Sequence, residues 1–210
     1  MDSYVFPEPH WVDLRDQKKE FSVVRAEYWR ETGFTHPLAA YVGKLVASCP
    51  GTGDVVFATK KQTALVIQLT WLGTKSKDGR PEFVECTSAD QLAHELAGRP
   101  RMHWMDSLEF PEQGWDDLRN DPDRAGGLEE ELRTELGKGS SRNDALLEVV
   151  ASAWPQDDVI VKTRGGAAIV HLTWRGKKER PGWPEWADLS QEELEAELQY
   201  VAERYDDEEE

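Results

Sequence analysis

A 16-residue segment that occurs twice is the strongest constraint on how this chain can fold. Residues 1–16 read MDSYVFPEPHWVDLRD and residues 105–120 read MDSLEFPEQGWDDLRN, with ten identities at a constant offset of 104. Identity at a fixed spacing is typical of internal repetition. The segment predicts a tandem duplication of a domain of roughly 100 residues, a common domain size. Residues 1–104 are the first repeat, and residues 105–210 are the second.

The net charge of −16 is confined to the second repeat. Residues 1–104 hold 13 acidic and 13 basic side chains, whereas residues 105–210 hold 28 acidic and 12 basic ones. The excess includes an acidic C-terminal tail over residues 206–210. Such a charge can serve solubility alone, or it can form an acidic face for a basic partner.

Hydrophobic spacing predicts two helices near the start of each repeat. Gly33 and Gly137 stand at matched positions where the first helix of each repeat should end. The helices are expected at about residues 20–31 and Leu38–Ser48 in the first repeat, and at Leu128–Leu136 and Ser141–Ala153 in the second.

A β-hairpin, a third strand and a final helix follow in each repeat. β-Branched residues around a short polar turn favour the hairpin. We expect strands at residues 54–59, 64–71 and 82–86, and at 158–163, 167–174 and about 185–188. Ser88 and Ser190 are expected N-caps of the final helices. The predicted class is α+β: a short antiparallel sheet (hairpin plus third strand) with about three helices, which cover one of its faces.

The second return strand places two kinds of side chain on opposite faces. Alternation groups Ala168, Val170, Leu172 and Trp174 on one face. His171 lies on the other face, where the first repeat has Gln68, and exchange of an imidazole for an amide indicates a hydrogen-bonding position.

No residues were found at the spacing that a catalytic, metal or cofactor site would require. The five histidines do not pair with another histidine or a cysteine at ligand spacing. No phosphate-binding glycine loop or Gly-x-Ser-x-Gly motif occurs. We therefore predict no catalytic residue, metal or cofactor.

The predicted partner-binding residues lie near the C-terminus. Trp183 and Trp186 are the expected anchors, because tryptophan is enriched among the residues that dominate binding energy. Acidic side chains should attract a basic partner. The predicted acidic residues are Glu192, Glu193, Glu195, Asp206 and Asp207.

Two basic loops offer an alternative site for an anion. They span residues 74–80 and 175–180, and each lies beside aromatic residues. Basic loops with aromatic neighbours can hold phosphates and stack bases. The candidate anion-binding residues are Lys75, Lys77, Lys177, Lys178 and Arg180. The acidic field of the whole protein nevertheless disfavours nucleic acid as a partner.

The segment from Asp158 to Trp174, with its ending His-Leu-Thr-Trp, resembles a small bacterial α+β domain. The resemblance brings no function with it. From the residues themselves, we expect a non-enzymatic binding protein of the immunity or antitoxin type that covers a basic protein partner with its acidic second repeat. The alternatives are nucleic-acid or phosphorylated-ligand binding through the basic loops, and an enzyme with a site between the repeats.

The expected compartment is the cytoplasm. No apolar run reaches the roughly 18–20 residues that a membrane helix needs, and the N-terminus lacks the apolar core of a signal peptide. Both cysteines, Cys49 and Cys86, fall in the first repeat, so the repeated fold does not require a disulfide. No membrane partner is expected.

Overall fold

The structure, a computed structural model, divides the chain into two compact units, Met1–His103 and Trp104–Glu210. Each unit is built on its own five-stranded antiparallel sheet. The structure describes residues 4–7, 10–33, 36, 38, 43–74, 81–99, 103–111, 113–153, 156–180 and 182–208, with side chains as far as residue 203.

In the N-terminal unit, the strands lie in the sheet in the order in which they occur along the chain. The elements are β1 (Val12–Asp13), α1 (Lys18–Thr32), β2 (Lys44–Cys49), β3 (Asp54–Ala58), β4 (Ala64–Gln68), β5 (Glu82–Cys86) and α2 (Ala89–Gly98). The 16-residue opening segment supplies β1, an edge strand in which Val12 pairs with Ser48. Its Trp11 is buried beside this edge.

The C-terminal unit has the same order of strands and long helices. Its elements are a 3-10 turn (Trp104–Ser107), β6 (Asp116–Asp117), α3 (Pro122–Leu136), α4 (Ser141–Ala145), β7 (Leu146–Ala153), β8 (Asp158–Thr163), β9 (Gly166–His171), β10 (Glu185–Leu189) and α5 (Gln191–Glu208). Here too the sheet order follows the chain, from β6 at one edge to β10 at the other. Trp115, the counterpart of Trp11, is also buried.

Helices cover both faces of the N-terminal sheet. The Tyr28 ring of α1 lies 4.6 Å from the Phe57 ring of β3, measured between centroids. Leu92 and Leu96 of α2 belong to an apolar cluster with Val56, the residue before Phe57. Because successive strand residues point to opposite faces, the two helices lie on opposite sides of the sheet.

The C-terminal sheet is covered in the same way. The leucines of α3 share an apolar cluster with Val159 and Val161 of β8. Leu194 and Leu198 of α5 share a second cluster with Ile160. Complete burial of each such side chain stabilises the fold by about 1.5–3 kcal/mol.

The helix predicted over Leu38–Ser48 is wrong from Lys44 onward, where the chain forms β2, and residues 39–42 of that segment lie outside the described residues. The helix predicted over Ser141–Ala153 is wrong from Leu146 onward, where the chain forms β7. In the second of these segments only Ser141–Ala145 is helical. Residues 149–151 are all buried, since β7 lies between two strands and two helical layers. A continuous apolar run of this kind is compatible with a buried strand as well as with a helix.

Two further expectations are corrected by these strands. Each sheet has five strands instead of the three expected from a hairpin plus third strand. The helices also cover both faces instead of one. The described residues contain five α-helices, and the α+β class is confirmed.

The hairpins, the third strands and the final helices are confirmed at nearly the predicted positions. Gly33 and Gly137 end α1 and α3 with positive φ angles of 60° and 74°. Ser88 caps α2 by accepting a hydrogen bond from the Gln91 N–H at 3.2 Å. Local sequence signals therefore specify these ends.

Candidate functional site

A sharp turn follows the return strand of each hairpin. Trp71 after β4 and Trp174 after β9 both have φ of 56°. A positive φ is rare for a bulky residue and costs about 1–3 kcal/mol unless the surroundings hold it.

Buried glutamates hold the two turns. In the C-terminal unit, Glu135 of α3 is fully buried, and its Oε1 accepts the backbone N–H groups of Thr173 at 2.8 Å and Trp174 at 2.7 Å. One helical turn earlier, Glu131 accepts the Gly176 N–H at 2.8 Å. The glutamate oxygens thus satisfy backbone donors of the strained turn, which have no partner within the strand.

The N-terminal unit contains the same arrangement. Glu31 of α1 accepts the N–H groups of Thr70 at 2.9 Å and Trp71 at 2.7 Å. Glu27 accepts the Gly73 N–H at 2.9 Å. We refer to the buried helix glutamate and the Trp turn that it holds as the Glu–Trp turn.

The indole rings of the two Glu–Trp turns differ in their exposure. Trp71 is 5% exposed, and its Nε1–H donates to the Gly53 carbonyl oxygen at 3.5 Å. Trp174 is 53% exposed, and its Nε1–H donates to the Asp157 carboxylate at 2.8 Å. At the position matched to Gly53, the C-terminal unit has Asp157, whose carboxylate accepts the indole N–H of Trp174 at the surface.

A cavity of about 440 Å³ opens beside Trp174. Its lining residues are Arg124, Gly127, Leu128, Ser152, Ala153, Asp157, Asp158, Val159, Leu172 and Trp174. At the offset of 104, Gly127 of α3 corresponds to Val23 of α1. A Cβ added at Gly127 would meet no atom within 4 Å, so this glycine leaves space beside the helix.

Carboxylates predominate among the charged groups around this cavity, which we call the Trp174 pocket. Arg124 is paired with Asp116 at 2.8 Å and donates to the Ser152 hydroxyl at 3.0 Å. Asp158 lies 2.8 Å from the Nδ1 of His171, which confirms a hydrogen-bonding role for that histidine. Among the described residues, no lysine or arginine lies within ion-pair distance of Asp157.

The strand position that Asp158 occupies holds a buried ion pair in the N-terminal unit. Asp54, the counterpart of Asp158, is 1% exposed and pairs with Arg99 of the segment after α2 at 2.5 Å. Burial raises the pKa of Asp54, and the hydrogen bonds from Thr52 and Arg99 oppose that rise. The aspartate at this strand position is therefore buried in the N-terminal unit, as Asp54, and partly exposed in the C-terminal unit, as Asp158.

The acidic residues predicted on the last helix lie on its exposed side. Glu192, Glu193 and Glu195 are all exposed, and none pairs with a described lysine or arginine. Glu193 accepts the Ser190 N–H at 2.8 Å and donates its own backbone N–H to the Ser190 hydroxyl, so the predicted N-cap forms a capping box. The hydrogen bond from the Ser190 N–H lowers the pKa of Glu193. Asp206 and Asp207 fall within α5, but their side chains lie outside the described residues.

Trp183 and Trp186 are half-buried and lie under arginines. The guanidinium of Arg180 is 5.6 Å from the centroid of Trp183, and that of Arg142 is 5.1 Å from Trp186. Trp186 also packs against the α3 apolar cluster. Both predicted anchors therefore present only part of their surface to a partner.

Of the two predicted basic loops, residues 74–80 are described only at Thr74, whereas residues 175–180 are described throughout. Lys75 and Lys77 lie outside the described residues. Lys177, Lys178 and Arg180 are exposed. Arg180 covers Trp183, while Lys178 lies close to Gly137, where its alkyl chain would meet an added Cβ.

Trp174 is the functional candidate that the sequence reasoning placed wrongly. Alternation put it on the same face as Leu172, but β9 ends at His171 and the turn breaks the period of two. Leu172 is buried, whereas Trp174 is the only exposed tryptophan in the described part of the chain. The available signal was the exchange of Gly53 for Asp157 and of Val23 for Gly127 between matched positions.

Comparisons with protein-family models, with curated proteins and with solved structures found no match. In the described ranges, no three His, Cys, Asp or Glu side chains are grouped so that they could hold a metal ion. No described helix is both long enough and apolar enough to cross a membrane.

Proposed function

We propose that this protein is a non-enzymatic binding protein of the immunity or antitoxin type, which covers a basic protein partner with its C-terminal unit. The observation that carries the proposal is the distribution of charge. Residues 1–104 are neutral, while residues 105–210 carry the whole net charge of −16. Two units with the same order of elements do not need such a difference in order to fold.

The exposed carboxylates of α5 support this proposal. Glu192, Glu193 and Glu195 face solvent near the start of the helix, with no described lysine or arginine to neutralise them. Carboxylates arranged in this way accelerate encounter with a basic surface and disfavour acidic competitors. Trp183, just before β10, and Trp186, within it, are proposed as the aromatic contacts.

We also propose that the two units arose by tandem duplication. The ten identities in the opening segments support this proposal. The Glu–Trp turn, with Glu31 and Glu135 at the offset of 104, supports it as well. Function then belongs to the places where the two units differ.

The proposed function is tested by affinity capture from the source cells at several salt concentrations. One bait carries Glu192→Gln, Glu193→Gln and Glu195→Gln. A matched control removes the same charge from exposed positions of the N-terminal unit through Asp16→Asn, Glu82→Gln and Asp90→Asn. We expect a basic protein that wild type and control retain and that the α5 variant loses.

Salt should weaken this retention, because the contacts are exposed and screened. A further bait without residues 206–210 measures the contribution of the acidic tail. Retention of the same proteins by all four baits at every salt concentration would contradict the proposed function.

A further inference from the structure

We propose that the Trp174 pocket receives one arginine side chain of the protein partner. The inference rests on the proposed function, since it names the partner group that the acidic unit would hold. It assigns the pocket to a guanidinium group carried on an aliphatic chain.

The size and floor of the pocket suit such a side chain. Its volume of about 440 Å³ lies within the range of roughly 300–1,000 Å³ that is common for ligand sites. Leu128, Val159 and Leu172 provide an apolar floor, and all three are buried. Arginine can lay its methylene chain along such a surface while its charged end stays at the rim.

The rim suits a cation. Trp174 presents an exposed ring, and a guanidinium over an indole face is attracted by about 0.5–2 kcal/mol. The carboxylate of Asp157 accepts the indole N–H and has no described lysine or arginine beside it. The one cation in the lining, Arg124, is already engaged by Asp116 and Ser152, so the pocket has no described cation left for an anion.

Two lining residues are unfavourable for folding where they stand. Gly127 lies inside α3, where glycine destabilises a helix by about 1 kcal/mol relative to alanine. Asp157 has φ of 57°, a left-handed conformation that glycine adopts at no cost and that aspartate adopts at a smaller cost than most other L-residues. The matched residues, Val23 and Gly53, avoid both costs. Because both unfavourable residues line the same cavity, we assign them to binding.

The test uses the full-length protein and short capped peptides of serine and glycine that carry one central residue. This residue is arginine, its neutral isostere citrulline, lysine or glutamate. Binding is followed through the indole N–H resonances, with Trp174 assigned from Trp174→Phe. We expect the arginine peptide to shift the Trp174 resonance and the citrulline peptide to bind at least about tenfold more weakly.

Two variants of α3 distinguish the effect of filling the pocket from the effect of placing valine in the helix. Gly127→Val places in the pocket the side chain that α1 has at this position, and it should abolish the shift. Gly126→Val makes the same substitution at the neighbouring residue, which does not line the pocket and where an added Cβ also meets no atom within 4 Å. It should leave arginine binding unchanged, while Asp157→Asn should weaken binding several-fold.

Several outcomes would overturn the inference. Equal binding of citrulline and arginine would make the pocket an apolar site, and preference for glutamate would make it an anion site. Binding of the arginine peptide to the Gly127→Val variant would show that the peptide binds outside the Trp174 pocket. If no peptide bound at all, the pocket would not be an arginine site.

The inference and the proposed function can fail separately. If arginine peptides bind but capture does not depend on Glu192, Glu193 and Glu195, then the acidic-face proposal is wrong. If capture depends on those residues but Gly127→Val changes neither peptide binding nor capture, then only the arginine pocket is wrong.

Discussion

Trp71 and Trp174 stand at the same point of their two units, yet Trp71 is 5% exposed and Trp174 is 53% exposed. Their backbones are held alike, each with φ of 56° and each by a buried glutamate. The difference comes from their neighbours, because Gly53 allows one indole to lie inward and Asp157 holds the other outward. The tryptophan of the strained turn is therefore buried in one unit and accessible in the other.

Truncation of the two tryptophans should give the largest difference between the units. Trp71→Ala removes a buried ring, and we expect the free energy of unfolding of the N-terminal unit to fall by about 3–5 kcal/mol. Trp174→Ala removes an exposed ring and should lower that of the C-terminal unit by less than about 1 kcal/mol. Urea unfolding with hydrogen exchange resolved by peptide measures each unit. Equal losses would show that the two indoles have the same structural role.

The Glu–Trp turn should be similarly important in both units. Glu135→Ala leaves the N–H groups of Thr173 and Trp174 without their acceptor, and we expect a loss of about 2–4 kcal/mol in the C-terminal unit. Glu31→Ala should cost a similar amount in the N-terminal unit.

The exposed Glu130 of the same helix provides the control for this prediction, and Glu130→Ala should change the free energy of unfolding by less than about 0.5 kcal/mol. The same urea and hydrogen-exchange measurements apply. If Glu135→Ala were as mild as Glu130→Ala, the glutamate would not be what holds the turn.

Each unit has an Asp–Arg pair at its surface, and acidification should reduce the stability of both units slightly and to the same extent. The hydrogen bonds from Arg15 and Arg119 lower the pKa values of Asp13 and Asp117. An aspartate whose pKa is lowered on folding stabilises the fold at pH values above its unfolded pKa of about 4. That stability is lost as the pH falls through the lower, folded pKa.

Because both carboxylates are partly exposed, each pair should contribute at most about 1 kcal/mol. We expect Asp13→Asn and Asp117→Asn to cost this much at pH 7 and progressively less as the pH falls below about 4, measured by urea unfolding at each pH. A cost that persisted at pH 2 would show that ionisation of the aspartate is not its source.

Sequence reasoning succeeded where a feature is local. The glycine that ends each first helix and the serine that caps α2 determine backbone geometry within a few residues, so Gly33, Gly137 and Ser88 could be predicted from the sequence. The hairpin strands are similarly marked by β-branched residues around a short turn.

Prediction from the sequence failed where the structure depends on contacts with residues that are distant along the chain. The apolar run of β7 was compatible with a helix until two adjacent strands and two helical layers were known. The exposure of Trp174 depends on Asp157 and on the space left by Gly127, neither of which is adjacent to it in sequence. Only the comparison of matched positions indicated these exchanges, because Gly53 and Val23 stand at the same points of the N-terminal unit.

The central claim is that the two Glu–Trp turns have the same backbone structure, while the indole ring is buried at Trp71 and exposed at Trp174. Hydroxyl-radical footprinting of the full-length protein, read by mass spectrometry for each tryptophan, tests it most directly. Since the exposed fractions are 5% and 53%, Trp174 should be oxidised about ten times faster than Trp71. Equal rates of oxidation at Trp71 and Trp174 would contradict the account.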